Sequence, residues 1–425
     1  MRARCDNRFP PRGAALLIVA AGIAVAMLGQ RAVASGLTPL ETATAGADLG
    51  LAFGLDALFA NPAQLGINNG PTTQVRLLGI GGGLHSNGLG WSDYRRYNGA
   101  VLEEDDKDAI LSRIPAGGCL LSAEGQVGAL ALRHGPWGLA IYGFGSAHGR
   151  LDREVLDLLF HGNTGRPDWL FERSDAEGMA AGKISLSHGR TVAHIAGGPL
   201  QIGLTLAYLR GLYYARADQV HADLSTQTTG LTGQAAADWL TAAGGSGWSL
   251  DIGTAWEPAA GWIASVAAEN LVHTIHWNRD VQLKHYELLF DDLTVDNFDD
   301  SLWVSHETTE GHGAVDRGLP PTIRAGLART VSRNLRVSTA ATVSLAERFG
   351  ATTRPQIAAG AEYMLWSTIP LRTGVALGGP TGFACGWGTG VRWGALAWDL
   401  SLRIDRGLWL GGGRGLTCAM AIDLN

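Results

Sequence analysis

The chain is short of charge, of cysteine and, beyond its first residues, of any long apolar run. Charged residues make up only 17% of its 425 positions, against 46% hydrophobic ones. After residue 34 there is no stretch of 18 successive apolar residues, which argues against spanning helices. Of the four cysteines, Cys5 sits near the N-terminus, while Cys119, Cys385 and Cys418 form an odd set at wide spacings. That pattern supports neither a disulfide framework nor a zinc-type pairing. No basic cluster follows the first residues and the net charge is negative, so a nucleic-acid polyanion is a poor partner. No repeat of solenoid or propeller period stands out.

What the N-terminus does contain is an export signal. Arg2, Arg4, Arg8 and Arg12 precede an uncharged apolar run from Gly13 to Gly29, and Ala32, Val33 and Ala34 give a small-x-small cleavage signal before Ser35. A single transmembrane helix is the alternative, but the run is short for a bilayer span. Residues 1–34 are therefore expected to be a cleaved signal peptide. Five Arg and one Asp leave with it, taking the formal charge from −6 to about −10.

The remainder is rich in 60 Gly and 14 Trp, and its dominant pattern is period-two alternation from about residue 73 onward. In ALAWDLSLRID, Leu396, Trp398, Leu400, Leu402 and Ile404 face one way, while Asp399, Ser401, Arg403 and Asp405 face the other. QIGLTLAY, WSLDIGTAW and IPLRTGVAL behave alike. In a soluble sandwich the apolar face would be core; in a membrane barrel it would meet lipid, with the polar face lining the interior. Period alone does not separate the two.

Strand number and connection lengths favour the barrel. Fifteen segments alternate, among them 199–211 and 213–228; one of them is a continuation of its neighbour, because single-chain bacterial barrels use even numbers, giving about fourteen strands. Tight joins at 134–136, 257–260, 331–333 and 366–367 contrast with long connections at 86–122, 148–177 and 273–320. Short turns on one rim and long loops on the other are the asymmetry of an outer-membrane barrel. The segment 229–245 is long where a short turn is expected. Leu151–Phe160 and Lys284–Leu293 carry helical signals and are read as amphipathic caps on the loop rim. Trp137, Trp256, Trp262, Trp366 and Trp393 fall near strand ends, as an interfacial girdle would place them.

No chemistry-bearing constellation emerges. His273 and His276 are three apart, on opposite faces of a strand, with no third ligand at fixed spacing. The acids at 103–108 and 291–300 lack the order of a calcium loop and its closing Glu, and are read as solvated loop acids. GWGTGVRWG at Gly386–Gly394 lies inside alternating strands without a following helix; there Gly permits bends and close backbone approach. Ser187 with His188 forms no nucleophile elbow. Neither an enzyme nor a cofactor is expected.

One element stands apart from this alternation: DALFANPAQLG at Asp56–Gly66, preceded by TATAGADLG. Pro62 fixes its own φ and biases Asn61 to an extended conformation, while the Asn amide can bond backbone that has left a ladder. An ordinary Asx-Pro turn before the first strand is the plain alternative. Ala45-Gly46-Ala47, Asp56-Ala57 and Asn61-Pro62-Ala63 with Leu65, together with PTIRAGLA, GAEYML, PLRTGVALGG, GWGTG and YLRGLYY further on, make the chain resemble the FadL-like superfamily of outer-membrane β-barrel proteins, and its PorV-like branch in particular.

The resemblance implies an all-β fold, a transmembrane antiparallel barrel of about 14 strands whose N-terminal segment fills the lumen as a plug. Residues 35–72 would be that hatch and 73–425 the barrel, with Asp56, Asn61, Pro62 and Ala63 as plug and gating residues. Its location would be the outer membrane of a Gram-negative cell, with outer-membrane lipid as surroundings. The expected function is passive transport of hydrophobic, fatty-acid-like small molecules; the alternative is a non-transporting scaffold or shuttle whose partners are secretion-system proteins. The chain departs from the usual barrel ending, since AIDLN lacks a terminal aromatic.

Overall fold

The alternating segments become strands that close on themselves. The computed structural model describes residues 37–67, 70–163, 168–195, 198–228, 230–293 and 303–425; the expected cleavage residues Ala32, Ala34 and Ser35 lie outside them. Twenty strands are described: β1 Thr73–Ser86, β2 Cys119–His134, β3 Trp137–Leu151, β4 Asp168–Phe171, β5 Asp175–Ile195, β6 Gly198–Thr226, β7 Leu231–Ala242, β8 Gly244–Trp256, β9 Trp262–Glu269, β10 Ile275–Arg279, β11 Gln282–Leu293, β12 Trp303–Gly311, β13 Val315–Asp316, β14 Thr322–Thr330, β15 Leu335–Ser344, β16 Gln356–Leu365, β17 Ile369–Gly378, β18 Gly382–Trp393, β19 Leu396–Asp405 and β20 Gly415–Leu424.

Fourteen of them form the wall. Pairing runs β1–β2–β3–β5–β6–β8–β9–β14 and then consecutively to β20, which pairs back with β1, every ladder antiparallel. Closure leaves no open edge around this ring. The other six strands extend it on the long-loop side: β4 and β7 pair with the far half of β6, β11 lies on β7, β12 lies on β11, and β10 continues the line of β9 along β8 and pairs with β13.

Burial settles what alternation left open. Along β19 the apolar Leu396, Trp398 and Leu400 are exposed, while Ala397, Asp399, Ser401 and Arg403 are buried. Ile184, Leu186, Leu204, Leu206, Val375 and Leu377 likewise point outward, and Arg76, Lys183, Arg324 and Arg372 point in. A ring of outward aliphatics around an inward set of charges suits lipid outside and a polar lumen. On the short-turn rim Trp366 and Trp393 are 78% and 80% exposed, Trp137 is half exposed, and Trp256 and Trp262 flank the turn between β8 and β9, so the aromatic girdle lies at one level.

One sequence expectation holds and two change. Segments 199–211 and 213–228 are the single strand β6, which resolves the count of fifteen. Residues 229–245 contain strand β7, not a long turn. Residues 284–293 form β11 and not a helix, because pairing with β7 on one side and β12 on the other overrides the local Leu-Leu-Phe and acid spacing. Helix expectations hold at Arg153–His161, capped by the Asp152 side chain on the Glu154 N–H at 3.2 Å. The acids at 103–108 open a further helix, Glu104–Arg113, where first-turn carboxylates suit the helix dipole.

Residues 37–66 enter the lumen. This hatch contains helices α1 (Pro39–Ala43) and α2 (Ala57–Ala60) and short 3-10 turns at Gly54–Asp56 and Pro62–Gly66. Of its residues, only Phe53, Asp56, Phe59 and Gly66 are less than fully buried.

Candidate functional site

The hatch meets the wall through backbone, and glycines make that possible. Asn61 is fully buried and extended (φ −160°, ψ 109°), as a residue before proline prefers, and Pro62 opens the following 3-10 turn. The Asn61 Oδ1 accepts the Ala63 N–H at 3.0 Å, and its Nδ2 donates to the Thr254 carbonyl of β8 at 3.0 Å. One side chain thus caps the turn and ties it to the barrel.

Beneath this turn lies a row of three glycines in register across three neighbouring strands: Gly189 of β5 opposite Gly203 of β6, and Gly203 opposite Gly253 of β8. A Cβ on Gly203 would run into Ala63 N and Pro62 C; one on Gly253 would run into Asn61 Oδ1; one on Gly189 would run into Pro62 O. A second row, Gly360, Gly374 and Gly386 of β16, β17 and β18, receives Thr42, Ala43 and Thr44 in the same way. The small residues of TATAGADLG and the Asn-Pro-Ala turn are the two patches of the hatch that lie against glycine tracks.

Ion pairs fasten the hatch between these tracks. Arg324 of β14 binds Asp48 of the hatch and lies 3.4 Å from Glu269 of β9. Arg76 of β1 donates to Asp56 of the hatch at 2.9 Å and to Asp423 of β20 at 2.7 Å. Each arginine is buried and shared by two carboxylates, the arrangement in which losing one partner is costly. Further round the wall Arg372 bridges Glu362 and Asp399 at 2.7 and 2.6 Å.

Among these charges runs a largely apolar column of aromatic rings, flanked by cations: Arg76 lies over Phe59 at 5.5 Å, Lys183 over Tyr142 at 6.0 Å and Arg317 over Phe349 at 5.9 Å. Phe59 of the hatch packs against Tyr142 of β3 at 5.6 Å between ring centroids, and Tyr142 lies 6.2 Å from Phe144. Phe144 belongs to a buried cluster with Met179, Tyr214, Trp277 and Phe349; Tyr214 stacks on Trp277 at 5.4 Å and meets Phe349 edge-on at 6.4 Å. The polar tips are satisfied: Trp277 Nε1–H donates to the Arg317 carbonyl at 2.9 Å and Tyr214 O–H to Glu177 at 3.0 Å. Phe144, Met179, Tyr214, Trp277 and Phe349 are all buried.

At its hatch end the wall is irregular. The β1–β2 ladder skips Leu77 and Leu78 opposite Ala129 and Leu130, and the flanking ladders shift register at the same level, between Arg76 and Leu78 against β20 and between Gly128 and Leu130 against β3. A cavity of about 10 Å³ lies behind, lined by Leu37, Phe59, Gln126, Leu130, Ile141 and Met420, room for about one water. Bulges beside a functional segment commonly re-aim the strand or end pairing.

Of the residues singled out in the sequence, Asp56, Asn61, Pro62 and Ala63 come together with the wall. His276 pairs with Asp316 at 2.8 Å on the loop side, apart from the hatch. Among the described residues no set of three His, Cys, Asp or Glu is placed to hold a metal ion. The glycine rows, the arginine pairs and the aromatic column were not read from sequence. Each joins residues of separate elements that only the closed barrel brings together, although Gly386 falls in a stretch where close backbone approach was expected.

The sequence matches a family of unknown function, DUF5723, over residues 72–399. No curated protein matches it. Similar solved structures include the toluene transporter TbuX of Ralstonia pickettii (12% identity, TM-score 0.54, covering 92% of this chain and 98% of that one), the toluene transporter TodX of P. putida (10%, 0.53, 92% and 99%) and a FadL homologue of Pseudomonas aeruginosa (14%, 0.50, 91% and 98%). At such identities the likeness establishes the fold, a FadL-like barrel.

Proposed function

The chain belongs to the DUF5723 family of unknown function, and we propose that it is an outer-membrane channel for hydrophobic small molecules, closed in this state by its N-terminal hatch. The observation that carries this reading is the apolar column: in a lumen lined mainly by ion pairs, aromatic rings lead from Trp277, Tyr214 and Phe349 through Phe144 and Tyr142 to Phe59 of the hatch and the irregular wall at Leu77 and Leu130. A hydrophobic solute gains free energy against these ring faces, which the ion pairs elsewhere in the lumen do not offer. Passage requires the hatch to shift, so the bonds of Asp56 to Arg76 and of Asn61 to Thr254, and the packing of Pro62 and Ala63 on Gly189 and Gly203, must yield. That solved barrels of this fold include a toluene transporter and a monoaromatic hydrocarbon channel supports the reading by analogy of fold.

The test is uptake of radiolabelled fatty acid and of radiolabelled toluene by cells with and without the gene. Faster uptake with the gene supports the channel, and the better substrate identifies the class. The close packing of the buried hatch against the wall is the observation that favours a second reading, a non-transporting barrel serving protein secretion or surface attachment. Equal uptake of both compounds in the two strains would decide for it.

A further inference from the structure

On the long-loop side the connection between β19 and β20, residues 406–414, folds back over the outer face of the wall. Ile404 is the last outward residue of β19; it is paired with Leu416 of β20, which is paired in turn with Leu84 of β1. Leu84 and Leu416 are exposed, whereas Ile404 is buried because Gly413 lies on it: a Cβ at Gly413 would run into Ile404 Cγ2. The tip of the loop stays uncovered, with Leu408 and Leu410 half exposed and Trp409 74% exposed. The helix Trp91–Tyr97, which follows β1, docks on the same loop through the Trp91 N–H, which donates to the Gly413 carbonyl at 3.3 Å. It adds Trp91 and Tyr94, stacked at 5.4 Å and both more than half exposed. These side chains continue the outward apolar band past the ends of its strands, at the level where a second aromatic girdle meets the membrane interface.

Cations without counter-ions stand around this apolar shelf. The Arg414 N–H donates to the Asp405 carbonyl at 2.9 Å, which brings Arg406 and Arg414 together at the base of the loop. Their guanidinium groups donate to the carbonyls of Pro380 at 3.4 Å and Asn87 at 2.8 Å, bonds that hold them without neutralising them. The neighbouring carboxylate, Asp405, is buried and turned to His85 and Arg403 within the wall. Arg95, one helical turn beyond Trp91, is exposed. Among the described residues none of these three arginines forms an ion pair, whereas Arg96 takes Asp106 and Arg113 takes Asp93.

An apolar shelf continuous with the lipid-facing wall calls for acyl chains, and unpaired guanidinium forks beside it call for an anion that they can grip bidentately. We propose that this shelf is a binding site for a phosphate-bearing lipid of the leaflet on the long-loop side, its acyl chains against Leu408, Trp409 and Leu410 and its phosphate held by Arg406, Arg414 and Arg95. The site rests on the barrel spanning a membrane and not on what crosses its lumen, since it shares no residue with the hatch or the aromatic column.

Native mass spectrometry of the purified, detergent-folded barrel tests it, with bisphosphorylated lipid A as the probe and the same lipid freed of its phosphates as the comparison. The phosphate-bearing lipid should bind saturably and at least about tenfold more tightly than the other. Replacing both Arg406→Gln and Arg414→Gln should weaken it at least about fivefold. Arg333→Gln, a change at an exposed arginine on the short-turn rim, should leave it unchanged. Trp409→Ser should weaken both lipids, and inorganic phosphate at the same concentration should displace neither. Heat-modifiable gel mobility checks that each variant is folded. Equal binding of the two lipids, unchanged binding in the double arginine variant or in Trp409→Ser, an equal loss in Arg333→Gln, or displacement by inorganic phosphate would each overturn the proposal. Because the readout is lipid binding to purified protein, such a result would leave the uptake experiment untouched.

Discussion

The substitution Gly189→Ala isolates the contact between hatch and wall. A methyl at Gly189 would stand 2.8 Å from Gly66 N and 3.0 Å from Leu65 Cβ, and closer still to Pro62 O. Ordinary carbon contacts lie at about 3.5–4.0 Å, so the turn at Pro62–Gly66 must withdraw by about 0.5–1 Å. Overpacking of this size costs about 1–3 kcal/mol, which raises the population of the undocked hatch by about fivefold to 150-fold. The same strand supplies the control. Gly182 also sits in β5, and a methyl there would meet nothing within 4 Å, so Gly182→Ala changes the strand's intrinsic propensity without touching the hatch. Hydrogen exchange of the Ala63 N–H, which rests on Asn61 Oδ1, reports undocking directly. Heat-modifiable gel mobility reports the barrel. Faster exchange in Gly189→Ala alone, with both barrels intact, is the expected outcome. Equal exchange in the two variants would refute the idea that the glycine row exists to seat the hatch.

Other consequences follow from the same geometry. Asn61→Ala removes two hydrogen bonds of about 0.5–1.5 kcal/mol each and should loosen the hatch by about 1–3 kcal/mol, while Asn61→Asp keeps the cap on Ala63 but buries a carboxylate oxygen against the Thr254 carbonyl and should loosen it at least as much; protease sensitivity of the hatch ranks the three. Asp48→Asn strips Arg324 of its hatch carboxylate and leaves Glu269, so the cost should sit near the lower end of the range for breaking a buried pair, about 3 kcal/mol, seen as release of residues near 48 to protease. On the strand extension beyond the barrel, a hydrogen bond to Asp238 at 2.5 Å raises the His285 pKa above its ordinary value. Its support of the β7–β11 pairing is therefore complete below about pH 6.5 and is lost as pH rises through the elevated value, so amide exchange in β11 should quicken on going from about pH 6 to pH 8, after correction for intrinsic rates, and His285→Gln should remove that pH dependence.

How far the sequence could be read depended on the range of the interaction. Alternation located nearly every wall strand, because period two is a local property, and it failed where tertiary pairing outvoted local spacing, as at Leu288, Leu289 and Phe290 of β11. Which face turned inward was not local either: Leu400 and Ser401 alternate equally well in a sandwich, and only closure of the ring places Ser401 inside. The Asn-Pro-Ala turn was visible, and its cap on Ala63 follows from chemistry two residues long. Its seat was not visible, since Gly189, Gly203 and Gly253 lie in three separate strands and become one row only through register. Single glycines at inward positions of SHGRT, QIGLT and DIGTA were the available signal. The pair of Arg324 with Asp48 was hidden for the same reason, the two being 276 positions apart.

The central claim, that the hatch must move for a hydrophobic molecule to pass, is tested most directly by locking it. Ala47 of the hatch and Ala358 of β16 pack in one buried cluster, and a Cys pair at these two positions, in a chain whose Cys119, Cys385 and Cys418 have been replaced, gives a bond that can be closed and opened. Uptake of radiolabelled toluene by cells carrying this variant should fall to the level of cells without the gene when the pair is oxidised and return on reduction. Equal uptake in the oxidised and reduced states, with the crosslink verified, would contradict it.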